Sequence, residues 1–237
     1  MNDYKTIGII GGMGPLATYD LAEKILNNTV ASGDQDNIPV LIDCNTRIAD
    51  RTAAILHGGA DPVPEMKKSA ERLEKGGADF LIMACNTAHY FYDRMCEDIS
   101  IPVLHMPRLT AEHLSSMGIK KAGVLATDGT CKSGVYGSAL TEAGIEPVYP
   151  SADKQKVIMS LIYDHVKAGI MDFADLDISS VMTEMRNKGA EALILGCTEL
   201  PMAFEIIGDV GLPLADPTEV LARASVSFAG APLKEKQ

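Results

Sequence analysis

Short apolar runs alternate with longer amphipathic stretches along the whole chain of 237 residues. A strand buried on both faces is a continuous apolar run, whereas an amphipathic helix repeats its apolar positions every three to four residues. This pattern predicts eight strands, at residues 6–10, 39–42, 80–83, 102–104, 122–126, 147–149, 192–195 and 213–215. Helix-length segments lie between them, such as 61–75, where Asp61 can cap the helix and Pro62 suits its first turn. Alternating strands and helices predict the α/β class, with parallel sheets that bind ligands at the carboxyl ends of their strands.

The two halves of the chain resemble each other. Residues 77–85 (GADFLIMAC) match residues 189–197 (GAEALILGC) position by position, at an offset of 112 residues. Gly8 corresponds to Gly123 at an offset of 115, and residues 101–104 correspond to 212–215 at an offset of 111. A half repeated at nearly constant offset predicts two similar parallel-sheet α/β lobes related by pseudo-two-fold symmetry, with a cleft between them.

Charge and composition narrow the classes of partner. The chain has 21 Lys and Arg against 32 Asp and Glu, a formal net charge of -11. That charge would repel nucleic-acid phosphates and an anionic membrane surface, so neither partner is expected. The chain contains no apolar run near 18 residues, and Met1 to Lys5 leads into a strand-like run, so we expect a cytoplasmic protein. The five cysteines form no C-x-x-C pair, which predicts free thiols.

Two of these cysteines occupy equivalent positions in the repeat. Cys85 and Cys197 each follow an apolar run and precede a predicted helix start. Backbone N–H groups and the helix dipole at such a position favour negative charge, which predicts a lowered thiol pKa and a cradle for a carboxylate. Two thiols on opposite faces of one carbon suit stereoinversion, since one can remove a proton while the other delivers one. A single cysteine after an apolar run is more often a packed residue, but packing does not require thiols at both repeat positions.

Three motifs connect this chain to a known family. Residues 83–89 are MACNTAH, residues 196–200 are GCTEL, and residues 11–15 are GGMGP. Together they resemble the aspartate/glutamate racemase family, and its aspartate racemase branch in particular, over nearly the whole chain. The resemblance implies two α/β lobes with substrate between them, Cys85 and Cys197 as the acid/base pair, no pyridoxal phosphate, no metal, and a homodimer. It also implies that the C-terminal segment returns to the first lobe, giving residues 1–101 plus 212–237 as one lobe and 102–211 as the other.

The residues around these motifs favour aspartate over glutamate as the substrate. Glutamate racemases usually carry an Asp-Ser-Gly opening and a histidine after the second Cys-Thr, where this chain has Gly12-Met13-Gly14 and Glu199. Ala84 stands where the branch often has proline. Because one methylene changes discrimination by only about 1–3 kcal/mol, activity on glutamate is also open.

An acidic protein that binds an acidic amino acid must place positive charge locally. Arg51 and Lys167 match the positions of the branch's binding arginine and lysine. Arg51 also lies near a helix start, where an anionic partner would relieve the unfavourable cation, and Lys167 ends a helical segment just before Gly169. Arg47 is a further candidate for the side-chain carboxylate, and Asn86, Thr87 and Thr198 are candidates for the α-carboxylate. The complete predicted substrate-binding set is Met13, Arg47, Arg51, Asn86, Thr87, Thr130, Lys167, Thr198 and Glu199.

Three alternative functions have some support in the sequence. Gly12-x-Gly14-x-x-Ala17 after the first strand fits the loose dinucleotide fingerprint of a nicotinamide-dependent oxidoreductase, although no acidic residue stands at the expected place. Cys85 and His89 are four residues apart and could share a helix face in a zinc site, although paired ligand motifs are missing. Duplicated lobes around a cleft also form solute-binding receptors, but these do not need paired thiols.

Overall fold

The computed structural model describes residues 3–235, and its elements alternate between strand and helix. Elements of the first half of the chain are β1 (Ile7–Gly11), α1 (Pro15–Asn28), β2 (Val40–Cys44), α2 (Arg51–Leu56), α3 (Val63–Lys75), β3 (Phe80–Met83), α4 (Tyr92–Cys96) and α5 (Met106–Ser116). Those of the second half are β4 (Lys121–Leu125), α6 (Asp128–Ser133), α7 (Val135–Glu142), β5 (Glu146–Val148), α8 (Ala152–Ser160), α9 (Ile178–Asn187), β6 (Ala192–Leu195), α10 (Leu200–Ile207), β7 (Leu214–Ala215) and α11 (Pro217–Ala229). Shorter helical segments are the 3-10 turns Asp34–Asp36, Thr87–Phe91 and Val166–Ala168 and the π-helical turn Leu161–His165.

The chain forms two compact units. One contains the residues up to Met106 together with those from Thr218 onward, and the other is Pro107–Pro217. The second unit extends beyond the predicted break near residue 211, because β7 pairs with β6 inside its sheet. Similarly, the first unit continues past the predicted break near residue 101, since Val103 bridges to Leu81 of β3.

Both sheets are parallel, as the α/β pattern predicts. The first has the order β2-β1-β3 and the second the order β5-β4-β6-β7. Leu193 pairs with Leu214 in the second sheet, and Leu81 bridges to Val103 in the first, so the repeat seen in the sequence is reproduced in the pairing. The predicted strand at 102–104 is wrong in extent, because its backbone–backbone hydrogen bonds to the sheet are made with Leu81 alone and form a single bridge. Among the described residues there are therefore seven strands where eight were predicted.

Helices cover both faces of the second sheet. Leu193 and Leu195 of β6 pack in a core with α8, α9 and α10, whereas Ala192 and Ile194 pack in a separate core with α5 and α7. Successive side chains on a strand point to opposite faces, so these two cores lie on the two sides of the sheet. Over residues 3–235 no helix is long and apolar enough to cross a membrane.

Equivalent glycines sit in the two central strands. A Cβ atom at Gly8 would lie 2.5 Å from Leu81 Cδ2, and one at Gly123 would lie 2.6 Å from Leu193 Cδ2. These distances are too short for any side chain. In each sheet, glycine on the central strand thus leaves room for the equivalent leucine of the neighbouring strand, Leu81 or Leu193.

Candidate functional site

The predicted site residues of the first unit follow three adjacent strands. Met13 follows β1, Arg47 follows β2, and Cys85 follows β3. Parallel strands place their carboxyl ends at one edge of a sheet, so the three loops lie at the same edge.

The glycine-rich loop after β1 is shaped by its packing. Gly12 has a φ of +87°, and a Cβ atom there would collide with the backbone of Asn45 in the loop after β2. A Cβ atom at Gly11 would collide with Thr18, whose hydroxyl oxygen accepts a hydrogen bond from the Gly12 N–H at 2.9 Å. Loop packing therefore accounts for these two glycines without a dinucleotide phosphate.

Arg51 joins two of these loops. It is the first residue of α2 and is 8% exposed. Its guanidinium donates to the carbonyl of Met13 at 2.9 Å and to the carbonyl of Ala49 at 3.0 Å. The cation is thus held between the loop after β1 and the loop before α2, which orients it in the first unit.

Arg47 is placed differently. Its side chain is exposed and lines a polar recess of about 300 Å³ beside the ion pair of Arg72 with Asp43. The same recess is lined by Cys44, Asn45, Thr46 and Glu65. Arg47 therefore has the exposure and the charge to bind a carboxylate, but it shares no described contact with Arg51 or Cys85.

Cys85 lies two residues after β3 and is 5% exposed, among the apolar side chains of the first unit's core. Asn86 and Thr87, the predicted carboxylate-binding residues beside it, are also buried. The helix start predicted after Cys85 is a 3-10 turn of five residues, Thr87–Phe91, which leads directly into α4. Its His89 has Nδ1 2.9 Å from the carbonyl oxygen of Cys85, so the ring faces the backbone and not the thiol. Among residues 3–235 no group of three or more His, Cys, Asp or Glu side chains could hold a metal ion.

In the second unit, Cys197 lies beside a charged pair. Its Sγ donates a hydrogen bond to Glu199 Oε2 at 2.9 Å, and Thr198 Oγ1 donates to the same oxygen at 3.1 Å. Lys167 Nζ is 3.6 Å from the other carboxylate oxygen, Oε1. Cys197, Thr198, Glu199 and Lys167 were all predicted site residues, and here they make one hydrogen-bonded cluster.

The protonation of Cys197 differs from the sequence-based expectation. Burial raises its pKa well above the ordinary value, and the negative charge of Glu199 raises it further, whereas Lys167 acts in the opposite direction. The predicted lowering of this pKa by a helix start is therefore wrong for Cys197, because desolvation of a buried thiolate outweighs the dipole. Its raised pKa keeps Cys197 as a thiol.

Lys167 reaches Glu199 from an irregular helix. The helix that begins with α8 widens into the π-helical turn Leu161–His165 and then tightens into the 3-10 turn Val166–Ala168, which carries Lys167. The lysine Nζ lies 4.8 Å from the ring centroid of Tyr163, in a cation–π contact. Tyr163 was missed in the sequence, although its position four residues before a candidate lysine is the spacing at which helical side chains meet.

Thr130 also lies at the carboxyl edge of its sheet. It is 1% exposed, and its N–H donates to the hydroxyl oxygen of Thr127, the residue that caps α6. Its own hydroxyl lies 3.1 Å from that of Thr127. Thr127 is a second residue that was not predicted, and the Thr-x-x-Thr spacing after a strand is the signal of the cap that could have revealed it.

Comparison with known proteins identifies the family. Residues 10–225 match the family model of Asp/Glu/Hydantoin racemase. The chain is 31% identical to the broad specificity amino-acid racemase RacX of Bacillus subtilis over 231 residues, which are 93% of this chain and 96% of RacX. It is 30% identical to a glutamate racemase of Limosilactobacillus reuteri over 96% of this chain and 82% of that protein. The structure of Picrophilus torridus aspartate racemase is similar with a TM-score of 0.85 and 34% identity, covering 97% of this chain and 96% of that one.

The chain therefore belongs to the Asp/Glu/Hydantoin racemase family and is an isomerase of that family. The resemblance found in the sequence motifs is confirmed, as are the two parallel-sheet α/β lobes. A nicotinamide-dependent oxidoreductase and a non-catalytic binding protein are not favoured.

Proposed function

We propose that the protein interconverts L- and D-aspartate, with glutamate as a second substrate, by proton transfer between Cys85 and Cys197 without any cofactor. One observation carries this proposal. Each cysteine is buried and lies two residues after the strand that pairs with the glycine-bearing central strand, β3 with β1 and β6 with β4. A racemase that inverts one carbon from both faces needs such a duplicated acid/base group.

The chemistry balances with two thiols and no redox step. In one direction the Cys85 thiolate removes the proton from Cα, and the electron pair is delocalised into the adjacent carboxylate. The Cys197 thiol then delivers its proton to the opposite face, leaving Cys85 as the thiol and Cys197 as the thiolate. The raised pKa of Cys197 supports its role as the acid in this direction.

In the reverse direction Cys197 must act as the base. Glu199 Oε2, 2.9 Å from its sulfur, is the group placed to accept the thiol proton. The Lys167 ammonium lowers the pKa of Cys197 and so favours the thiolate. We assign Glu199 as the proton acceptor and Lys167 as the stabilising cation, which makes Glu199 more than the substrate-binding residue predicted from the sequence.

The cations of the site and the relatives support an acidic amino acid as the substrate. Arg51 and Arg47 are assigned to the side-chain carboxylate, and Asn86, Thr87 and Thr198 to the α-carboxylate. Met13 and Thr130 are kept as further substrate-binding residues. The 34% identity to an aspartate racemase supports aspartate as the main substrate. The broad specificity named for RacX makes neutral amino acids a necessary part of any substrate panel.

The decisive experiment is incubation with single enantiomers of aspartate, glutamate and several neutral amino acids in deuterated water. Inversion of aspartate should bring one solvent deuterium to Cα of the product, because the delivering thiol exchanges with solvent. Cys85→Ala and Cys197→Ala should each lower the rate of inversion by about 10²–10⁴-fold, while the remaining thiol still exchanges the α-proton of one enantiomer. Cys96→Ala, at a partly buried cysteine of α4, is the matched control and should retain activity. Inversion by the double Cys85→Ala, Cys197→Ala variant at the wild-type rate would overturn the proposal.

The proposal includes the cellular setting. We propose a homodimer, as the family resemblance implies, and a cytoplasmic location, as the sequence pattern predicts. The net charge of -11 speaks against nucleic acid or a membrane as a partner. Light scattering at the concentration used for the activity assay measures the mass, and a particle of one chain would contradict the dimer.

A further inference from the structure

His89 holds two backbone groups together inside the first unit. Its side chain is 3% exposed. One ring nitrogen, Nδ1, lies 2.9 Å from the carbonyl oxygen of Cys85, and the other, Nε2, lies 3.1 Å from the backbone nitrogen of Met106. Met106 begins α5 and is the last residue of the first unit.

These contacts determine the tautomer. The Met106 backbone N–H can only donate, so Nε2 of His89 must accept and carries no proton. Nδ1 therefore carries the proton and donates to the Cys85 carbonyl. Burial, together with the neighbouring His105, lowers the pKa of His89 to about 3. The ring is consequently neutral, and both hydrogen bonds persist throughout the pH range in which an enzyme is assayed.

The bond to Cys85 fixes the orientation of a peptide group. The peptide between Cys85 and Asn86 is trans, so its carbonyl and its N–H point in opposite directions. With the carbonyl held toward the buried ring, the Asn86 N–H is directed away from it. The same bond limits rotation of the backbone that carries the Cys85 thiol.

We propose that His89 is a positioning residue for Cys85, which it orients by holding the Cys85–Asn86 peptide group against the start of α5. The proposal rests on the proposed function, in which Cys85 must approach Cα of the substrate closely. A displacement of about 1 Å in such a group costs on the order of 10²-fold in rate. The second unit has Pro201 at the equivalent position, so this device belongs to the first unit alone.

Two substitutions separate the two hydrogen bonds. The side-chain amide of asparagine occupies the place of Nδ1, and that of glutamine reaches the place of Nε2. His89→Asn therefore retains the bond to the Cys85 carbonyl, whereas His89→Gln retains the bond to Met106. Both variants remove the same buried ring, so thermal unfolding should show similar losses of stability.

The rate of racemisation should distinguish them. We expect His89→Asn to keep kcat within about threefold of the wild type and His89→Gln to lose about 10²-fold in kcat, with a smaller change in KM. Equal losses in the two variants would mean that His89 acts only through packing and would overturn the proposal. Retention of activity by His89→Gln alone would also overturn it, since the Met106 bond would then be the one that matters.

A second measurement does not depend on racemase activity. The rate of alkylation of each cysteine by iodoacetamide can be followed by mass spectrometry of the tryptic peptides. His89→Gln should make Cys85 react about threefold faster because its loop opens more often, while His89→Asn should leave the rate unchanged. Cys197 is the internal control in the same sample. If the wild type racemises no amino acid but the two variants differ in Cys85 alkylation as expected, the proposed function is contradicted and the role of His89 is supported. Unchanged Cys85 reactivity in His89→Gln would overturn that role.

Discussion

The two cysteine loops follow equivalent strands, yet different groups hold them. The Cys85 loop is fixed through its backbone, by a neutral histidine that is insulated from changes in pH. The Cys197 loop is fixed through its side chains, since Glu199 accepts hydrogen bonds from both the thiol and Thr198 and pairs with Lys167. Duplication has therefore kept the position of the sulfur and its burial, while the surrounding electrostatics have diverged.

This difference affects the groups that can exchange protons with each thiol, and it affects the pKa of Cys197. At the position equivalent to Glu199 the first unit has Thr87, which carries no charge. A carboxylate beside Cys197 raises the pKa of that thiol and can also take its proton, so one residue both holds the acid form and provides the route to the base form. Under the proposed function, Cys197 is the thiol whose protonation is controlled by neighbouring side chains. Substitution of those side chains therefore tests the comparison of the two loops.

The largest effect is expected for Glu199→Gln. Loss of the proton acceptor should lower kcat by about 10²-fold, a typical contribution of one acid/base group. Loss of the negative charge should at the same time lower the pKa of Cys197, because Glu199 raises it in the wild type. The pH dependence of Cys197 alkylation, followed on its own peptide, measures this shift.

Glu205→Gln on α10 is the matched control, since Glu205 is exposed and lies on the helix that follows Cys197. It should change neither the activity nor the alkylation of Cys197. Full activity in Glu199→Gln would show that Glu199 is not the proton acceptor for Cys197.

A smaller effect is expected at Tyr163, whose ring contacts the ammonium of Lys167. A cation–π contact at a partly exposed site contributes about 0.5–1 kcal/mol. Tyr163→Leu should therefore lower kcat/KM by about two- to fivefold, whereas Tyr163→Phe retains the ring and should stay near the wild type. If the phenylalanine variant loses as much activity as the leucine variant, the hydroxyl group and not the ring positions Lys167.

The fold and the candidate site differ in how much of them the sequence pattern reveals. Continuous apolar runs and the repeat of residues 77–85 at 189–197 predict the parallel sheets, because strand burial depends on local hydrophobicity. That residues 102–104 make only a single bridge could not be predicted, since the length of a strand depends on its pairing partner, here Leu81, as well as on its own residues. The sequence places Lys167 near the end of a helix, but its contact with Glu199 depends on the π-helical and 3-10 turns. The pattern of apolar positions does not distinguish these turns from a regular α-helix, so the contact could not be predicted.

The protonation states were the least predictable part. Whether Cys197 is a thiol depends on which way the Glu199 side chain points and on how completely the sulfur is buried. His89 shows the same dependence, because a histidine four residues after a cysteine can face its thiol or its carbonyl, and only the fold decides.

The smallest expected effect concerns the stability of the turn that carries Lys167. His165, at the end of the π-helical turn, contacts the Ser160 carbonyl at 3.1 Å and Asp175 Oδ1 at 3.0 Å. The hydrogen bond to Ser160 raises the pKa of His165, and Asp175 raises it further, against the effect of desolvation. A group whose pKa is raised in the folded state stabilises the fold fully below its unfolded pKa of about 6.5, and that contribution disappears as the pH rises through the folded value. Asp175→Asn should therefore lower the Tm by about 1–3 °C at pH 5.5 and by less at pH 8.5.

Asp153→Asn gives the matched comparison, because Asp153 is exposed and pairs with a lysine, Lys156, instead of a histidine. Its effect on Tm should be the same at pH 5.5 and pH 8.5. A Tm loss in Asp175→Asn that is equally independent of pH would show that the His165 contact is held without its charge, as the His89 contact is. The second unit would then resemble the first in having a neutral histidine that holds a segment near its cysteine, here the turn that carries Lys167. The contrast between the two units would be confined to Glu199 and Lys167.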